Sequence, residues 1–219
     1  VSRIQILEDT NGDDRADKTT VLYTGFGYGD THAVISNMRW GPDGWIYCTQ
    51  GYSGGASRDI RGAADPSKSL GSIRNGLLRF RADGSAIELV SSYGSNTWGL
   101  DFTPDGELFF TMANGSHARH VVLPERMLAG HRVDGVNSWK DIVDHRKAFP
   151  AFHDGRISYL QIDFVGGFTA AAGCLVQSGG AWPSEFDLDH FVCEPTINLV
   201  HRDELTARGV TFTASKPRQ

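Results

Sequence analysis

The chain contains the segment MRWGPDGWIYCT at residues 38–49, in which two short apolar runs flank Pro42-Asp43-Gly44. Proline presets φ for the first central position of a turn, and glycine accepts the left-handed conformation that follows. The segment therefore predicts a β-hairpin. The segment LDFTPDGELFFT at residues 100–111 repeats it without a gap, and LLRFRADG at residues 77–84 is a looser copy in which Ala82 replaces the proline.

The repeated hairpins predict an all-β fold. Hairpins that recur at intervals of tens of residues, with few helical signals, are typical of β-propellers, whose blades are four-stranded antiparallel sheets. A β-sandwich that reuses a common turn is the alternative, but the matching aromatic residues around the turns favour the propeller. At about 40 to 60 residues per blade, we expect about three to four of the six or so blades of a closed ring. Residues 1–219 are thus expected to be an interior piece of one propeller domain, without a separate second domain.

Helix is predicted at only two places. Residues 138–146 predict a short helix capped by Ser138, and residues 203–206 predict a single helical turn. Residues 53–72 are rich in Gly, Ser, Arg and Asp. They predict a long excursion between strands, of the kind that builds or covers a site.

Composition excludes several functional classes. The chain has 21 Lys and Arg against 26 Asp and Glu, a net charge of −5 that argues against a general nucleic-acid binder. No apolar run approaches the roughly 20 residues of a membrane-spanning helix. Twelve Phe, six Tyr and five Trp supply core material that a disordered chain lacks. The three cysteines lack metal-binding spacing, and buried free thiols are favoured over a Cys174–Cys193 disulfide.

An acidic loop near the start of the chain is a candidate calcium site. Its oxygen-bearing side chains have the spacing of an EF-hand-type loop: Asp9, Asn11, Asp13 and Asp17. Two positions differ from that motif, because Asp14 replaces the usual glycine and Thr20 replaces the bidentate glutamate. A polar turn held by Asx hydrogen bonds is the alternative interpretation.

Two polar residues precede the repeated hairpins. In a propeller, the residue that leads into an innermost strand points to the channel mouth, so His32 is a candidate base that Asp30 could orient. Asn96 leads into the second hairpin in the same way and could hydrogen-bond a polar ligand. An ordinary loop histidine and a strand-capping turn are the alternatives.

A third group follows the second hairpin. His117 and His120 lie three residues apart, with Arg119 beside them, and could bind a metal or an anionic cofactor. A solvated loop is an equally good interpretation. The chain has no GxSxG, P-loop, CxxCH or HExxH motif, which disfavours serine hydrolase, nucleotide-binding, cytochrome and zincin functions.

The sequence resembles a known family along nearly its whole length. The matching segments are residues 30–47, NTWGLDF at residues 96–102 and FVCEPTINLVHR at residues 191–202. They resemble the membrane-bound dehydrogenase domain family, which is similar to the soluble pyrroloquinoline-quinone (PQQ) glucose and sorbosone dehydrogenases. The resemblance implies a six-bladed propeller in an exported or periplasmic protein, commonly extended by helical repeats and a cytochrome c module.

The resemblance also implies a function. The PQQ enzymes use a histidine ahead of the first such hairpin to take the substrate hydroxyl proton, and His32 matches it. Asn96 matches an asparagine that holds the quinone and the reacting oxygen, but the arginine before it is Ser95 here, which removes a cationic contact. The expected function is oxidation of a sugar or other alcohol with PQQ and calcium. A cytochrome c is a possible electron acceptor.

Two other functions stay open. One is a non-catalytic, calcium-stabilised propeller that binds carbohydrate or protein within an exported multidomain protein. The other is a metal-dependent lactonase, for which the sequence does not identify the required set of carboxylates and asparagine. All three functions are compatible with the predicted fold, so only the residues of the functional site can distinguish between them.

Overall fold

The computed structural model describes residues 2–52, 58–92, 96–114, 116–131, 135–145, 167–195 and 198–217. The chain divides into two compact units, Val1–Gly94 and Ser95–Gln219. The described residues form four antiparallel sheets of four strands each and almost no helix, so the all-β prediction is confirmed. Within these ranges, no helix combines the length and hydropathy that a membrane span requires.

The first unit contains two sheets. Its eight strands are β1 (Ser2–Glu8), β2 (Lys18–Phe26), β3 (Ile35–Trp40), β4 (Ile46–Gln50), β5 (Arg61–Gly62), β6 (Asp65–Ser69), β7 (Gly76–Phe80) and β8 (Ile87–Ser91). Sheet I has the order β1-β2-β5-β6, and sheet II has the order β3-β4-β7-β8. The excursion predicted at residues 53–72 therefore contributes β5 and β6 to the edge of sheet I, while residues 53–57 lie outside the described residues.

The second unit contains the other two sheets. Its strands are β9 (Thr97–Phe102), β10 (Leu108–Met112), β11 (Arg119–Val121), β12 (Trp139–Asp141), β13 (Ala172–Val176), β14 (Asp189–Glu194), β15 (Leu199–Arg208) and β16 (Thr211–Ser215). Sheet III is a meander of β9 to β12, and sheet IV is a meander of β13 to β16. A short helix, α1 (Glu125–Leu128), and a 3-10 turn at Ser184–Phe186 lie between strands.

The predicted hairpins are confirmed at all three places. Gly44, Gly84 and Gly106 each adopt a positive φ, and each donates its N–H to the carbonyl three residues earlier. The strands on either side pair as β3 with β4, β7 with β8, and β9 with β10. In the looser copy the closing hydrogen bond runs from Arg81 N–H to the Ala86 carbonyl, a loop one residue longer than in the two Pro-Asp-Gly turns.

Both helix predictions are wrong. In place of the helix at 138–146, Trp139–Asp141 forms strand β12, which pairs with β11. Residues 203–206 lie inside β15 and are paired with β14 on one side and β16 on the other. Pairing with strands distant in sequence outweighs the local helical preference in both segments.

Each unit has its own apolar core. In the first unit, side chains of sheets I and II pack together around Tyr23, whose buried hydroxyl donates to the carbonyls of Arg81 and Ala86 at 2.8 Å. In the second unit, Phe109 and Val176 pack in a core that both sheets supply. Cys48 and Cys174 are buried free thiols, as predicted, whereas Cys193 is an exposed free thiol.

Sheets III and IV approach each other closely at a pair of glycines. A β-carbon added to Gly99 in β9 would lie 2.4 Å from the carbonyl carbon of Gly173 in β13. Beside this contact, Thr111 donates its hydroxyl to the Gly173 carbonyl at 3.0 Å, and the Val176 N–H donates to the Asp101 carboxylate at 2.9 Å. The two sheets are therefore joined by backbone contact as well as by apolar packing.

Candidate metal centre

A buried carboxylate in the second unit is surrounded by histidines. Asp203 and His201 occupy alternate positions of β15, so both side chains project from the buried face of sheet IV. Asp203 has no exposed surface, and neither do His117 and His190. A buried carboxylate requires compensating partners, and here imidazoles supply them.

The other histidines reach Asp203 from three separate segments. His117 lies in the connection between β10 and β11, which Ser116 holds by donating its hydroxyl to the Asp141 carboxylate at 2.9 Å. His145 follows β12. His190 lies on β14, directly opposite Asp203 in the β14–β15 register. The cluster therefore joins sheet III to sheet IV.

The distances within the cluster suit a single metal ion. His117 Nε2 lies 2.9 Å from Asp203 Oδ2, His201 Nε2 lies 2.9 Å from Asp203 Oδ1, and His145 Nε2 lies 3.0 Å from His201 Nε2. Potential ligand atoms of these four residues all lie within 4.8 Å of one another. Ligands about 2.0–2.2 Å from a tetrahedral zinc ion are separated by roughly 3.3 Å, so three of these separations are close to those of a zinc site.

The electrostatics of the cluster also suit a cation. Burial opposes ionisation of Asp203, but the neighbouring imidazoles of His117, His190 and His201 outweigh it and hold the pKa of this carboxyl well below its usual range. Burial lowers the pKa of His117 to about 4, although its hydrogen bond to Asp203 acts in the other direction. At neutral pH, Asp203 is therefore ionised and His117 is neutral, which are the forms that bind metals.

Neighbouring side chains fix two of the imidazoles. The Nδ1 atom of His145 lies 2.6 Å from Asp144 Oδ1, and such a carboxylate orients a metal-binding imidazole and increases its basicity. The ring of His117 stacks on that of Phe168, with centroids 3.9 Å apart. Among the four candidate ligands, His145 has the most exposed side chain, at 16% against 8% for His201.

The structure separates the three residues that were predicted to bind a cofactor together. His117 belongs to the cluster, whereas His120 is buried between Phe109 and Phe212 and contacts Glu107 Oε2 at 2.7 Å. The guanidinium of Arg119 lies 4.4 Å from the centre of the Trp139 ring. All three side chains are buried and engaged with different partners.

The two candidate catalytic residues lie in different units. His32 belongs to the first unit, and its side chain is 89% exposed, with Nδ1 3.4 Å from Asp30 Oδ1. Asn96 belongs to the second unit, where its carbonyl accepts the Ala113 N–H at 2.9 Å. Ser95 lies outside the described residues.

The acidic loop joins β1 to β2 and uses its side-chain oxygens to hold its own backbone. Asp9 accepts the N–H groups of Gly12 at 2.7 Å and Asp14 at 2.9 Å, and these bonds lower the pKa of Asp9. Asn11 and Asp13 each accept the N–H two residues further on, and Asp17 accepts that of Thr10. Asp14 adopts a φ of 62°, the conformation that glycine usually supplies in the calcium motif. Calcium binding by this loop stays a prediction.

Sequence reasoning missed His145, His201 and Asp203 as site residues. The alternation of His201 and Asp203 was the available signal, since both side chains share one face of a strand. His145 is 28 residues from His117 and 56 from His201, so no local spacing connects them.

Fold and site together define an all-β protein of four-stranded antiparallel sheets with a buried histidine–aspartate cluster. Residues 2–219 match DUF7133, described as a domain of unknown function, and the chain belongs to this family. No curated protein and no solved structure matches the chain.

Proposed function

We propose that this chain is a metal-binding β-propeller piece whose second unit holds one zinc ion. The ligands are His117, His145, His201 and Asp203. The observation that carries the proposal is the convergence of three imidazole nitrogens and one ionised carboxylate within 4.8 Å in the protein interior. Imidazole and carboxylate ligands without thiolate suit zinc and neighbouring divalent transition metals, and four ligands suit tetrahedral zinc best.

The proposed ion has a structural role. Four protein ligands complete a tetrahedral shell, whereas catalytic zinc keeps one position for water or substrate. The ligands come from the β10–β11 connection, the segment after β12, and β15. Binding one ion there links sheet III to sheet IV and adds about 4 kcal/mol to the free energy of unfolding at a free zinc concentration 1,000 times Kd.

The propeller is part of this proposal. Sheets II, III and IV each take up their strands in chain order, as the meandering blades of propellers do. The repeated turn falls between the first two strands of sheets II and III, which supports treating each sheet as one blade. A crystal structure in which the four sheets pack as a sandwich would contradict it.

Metal analysis of the purified 219-residue chain tests the zinc proposal. We expect about one zinc per chain, the visible absorption of tetrahedral cobalt after exchange, and a lower melting temperature in chelator. Asp203→Asn and His201→Gln should each bind zinc at least tenfold more weakly. His131→Gln is the matched control, because His131 is an exposed histidine of the same unit. Wild-type protein without bound zinc, or unchanged affinity in both ligand variants, would refute the centre.

Alcohol or sugar oxidation, in which an external two-electron acceptor takes the hydride, is a second candidate function, and one observation favours it. The exposed imidazole of His32 has a carboxylate oxygen of Asp30 3.4 Å from Nδ1, which leaves Nε2 for a substrate hydroxyl. The side chains of His117, Arg119 and His120, which were predicted to bind a metal or an anionic cofactor, are buried and already engaged, so they do not fit PQQ. We therefore assign no step to the quinone.

Dye reduction with a panel of sugars and alcohols tests this second function. Activity that His32→Ala abolishes and His131→Gln retains would support the base. Equal activity in both variants, or none in the wild type, would leave metal binding as the proposed function.

A further inference from the structure

His190 is a buried polar side chain without a hydrogen-bonding partner. Its ring has no exposed surface, and neither ring nitrogen has such a partner among the described residues. The carboxylate of Asp203 lies beside it, with Oδ2 3.6 Å from His190 Nδ1, just beyond hydrogen-bonding distance. A buried imidazole with both nitrogens unpartnered costs free energy, so its position requires an explanation.

In the observed arrangement, other imidazoles already contact both oxygens of the Asp203 carboxylate. His117 Nε2 contacts Oδ2, and His201 Nε2 contacts Oδ1. A nitrogen that binds a metal must direct its lone pair at the ion, so it can no longer donate a proton to the carboxylate. Binding of the proposed ion would therefore remove these donors from Asp203 and leave Oδ2 in need of one.

We propose that His190 is the positioning residue of the metal centre, donating its Nδ1–H to Asp203 Oδ2 and so directing Oδ1 at the ion. The inference rests on the proposed zinc site. His190 stands outside the group of four ligands, which suits a residue that acts through Asp203. It lies opposite Asp203 in a continuous pair of strands, so a shift of about 0.7 Å brings the two atoms to the usual 2.9 Å.

Two substitutions separate this role from simple packing. His190→Leu keeps a buried side chain of similar size but removes the donor. His190→Asn keeps an N–H donor near the position of Nδ1. Zinc affinity is measured by competition with a chromogenic chelator, and the cobalt spectrum reports the geometry of the centre.

We expect His190→Leu to weaken zinc binding about 10- to 100-fold and to alter the cobalt spectrum. His190→Asn should recover most of the affinity. In the metal-free protein, His190→Leu should unfold at the same urea concentration as the wild type or a higher one, because it removes an unpartnered imidazole. A packing role would instead lower the stability of the metal-free protein.

The outcomes are distinguishable. Wild-type protein that binds zinc, together with a His190→Leu variant of equal affinity, overturns the role of His190 and leaves the zinc site in place. Equal weakening by Leu and Asn in folded proteins also overturns it, because the donor would then not matter. Wild-type protein that binds no zinc overturns both proposals.

Discussion

The contact between Gly99 and Gly173 makes a quantitative prediction for Gly99→Ala. Gly99 has no positive φ, so alanine would fit its backbone, but the added methyl would lie 2.4 Å from Gly173 C and 2.6 Å from Cys174 N. Ordinary contacts of a β-carbon are 3.4–4 Å. Strands β9 and β13 must therefore separate locally by about 1 Å, because both obstructing atoms belong to the backbone.

The cost has two parts. Overpacking of this size costs about 1–3 kcal/mol. The separation also stretches the hydrogen bonds from Thr111 to Gly173 and from Val176 to Asp101, each of which contributes about 0.5–1.5 kcal/mol. The expected loss of unfolding free energy is about 2–6 kcal/mol, which lowers the melting temperature by roughly 4–24 °C in a chain of this size.

Urea and thermal unfolding, followed by tryptophan fluorescence, measure this loss. Gly173→Ala is the matched control, since a β-carbon at Gly173 meets no atom within 4 Å and only its φ of +73° is unfavourable. That conformation costs about 1–2 kcal/mol for alanine, so Gly99→Ala should be the less stable variant. Wild-type stability of Gly99→Ala, or a greater loss in Gly173→Ala, would refute the close approach of the two strands.

Three further predictions concern other parts of the chain. Burial raises the pKa of Tyr23 to about 12. As the pH rises, this tyrosine therefore ionises in the unfolded chain before it ionises in the folded one. About 2–3 kcal/mol of the stability present below pH 10 is lost between pH 10 and 12, and urea unfolding midpoints should show this loss. Tyr23→Phe should lack it. Burial raises the pKa of Cys48 to about 12, so a maleimide should label this thiol only after the chain unfolds. The exposed Cys193 should be labelled rapidly in the folded protein, and mass spectrometry would show the difference. If the acidic loop binds calcium, added calcium should raise the melting temperature of the wild type but not of Asp9→Ala; equal shifts in the two proteins would contradict this.

The sequence was sufficient for the hairpins because their signals are local. Pro-Asp-Gly specifies its turn within three residues, and the structure has the matching positive φ at Gly44 and Gly106. It was insufficient for β15, where the buried positions are the polar residues His201 and Asp203. Strand prediction looks for alternating apolar side chains, so a strand that buries histidine and aspartate does not show that pattern.

The candidate site was missed for the same reason, because its buried residues are polar. His117 was recognised as a possible metal or cofactor ligand, and its spacing suggested His120 as a second ligand. The structure instead places the His120 ring in contact with the Glu107 carboxylate. Strand pairing, which brings β14 and β15 beside the β10–β11 connection, decides which histidines meet. Composition and spacing along one chain carry no information about that pairing.

A polar cluster in the first unit differs from the histidine cluster of the second unit, where we propose a bound ion. There, the guanidinium of Arg79 contacts the carboxylates of Asp43 and Glu88, so its charge and its donors are matched within the protein. Around Asp203, by contrast, neither ring nitrogen of His190 has a hydrogen-bonding partner among the described residues. Burying a polar group costs little free energy when all its hydrogen bonds are made, as those of Arg79 are. A divalent ion would take the Nε2 lone pairs of the ligand histidines and free Asp203 Oδ2 for His190, so it would explain the excess of nitrogen around a single carboxylate.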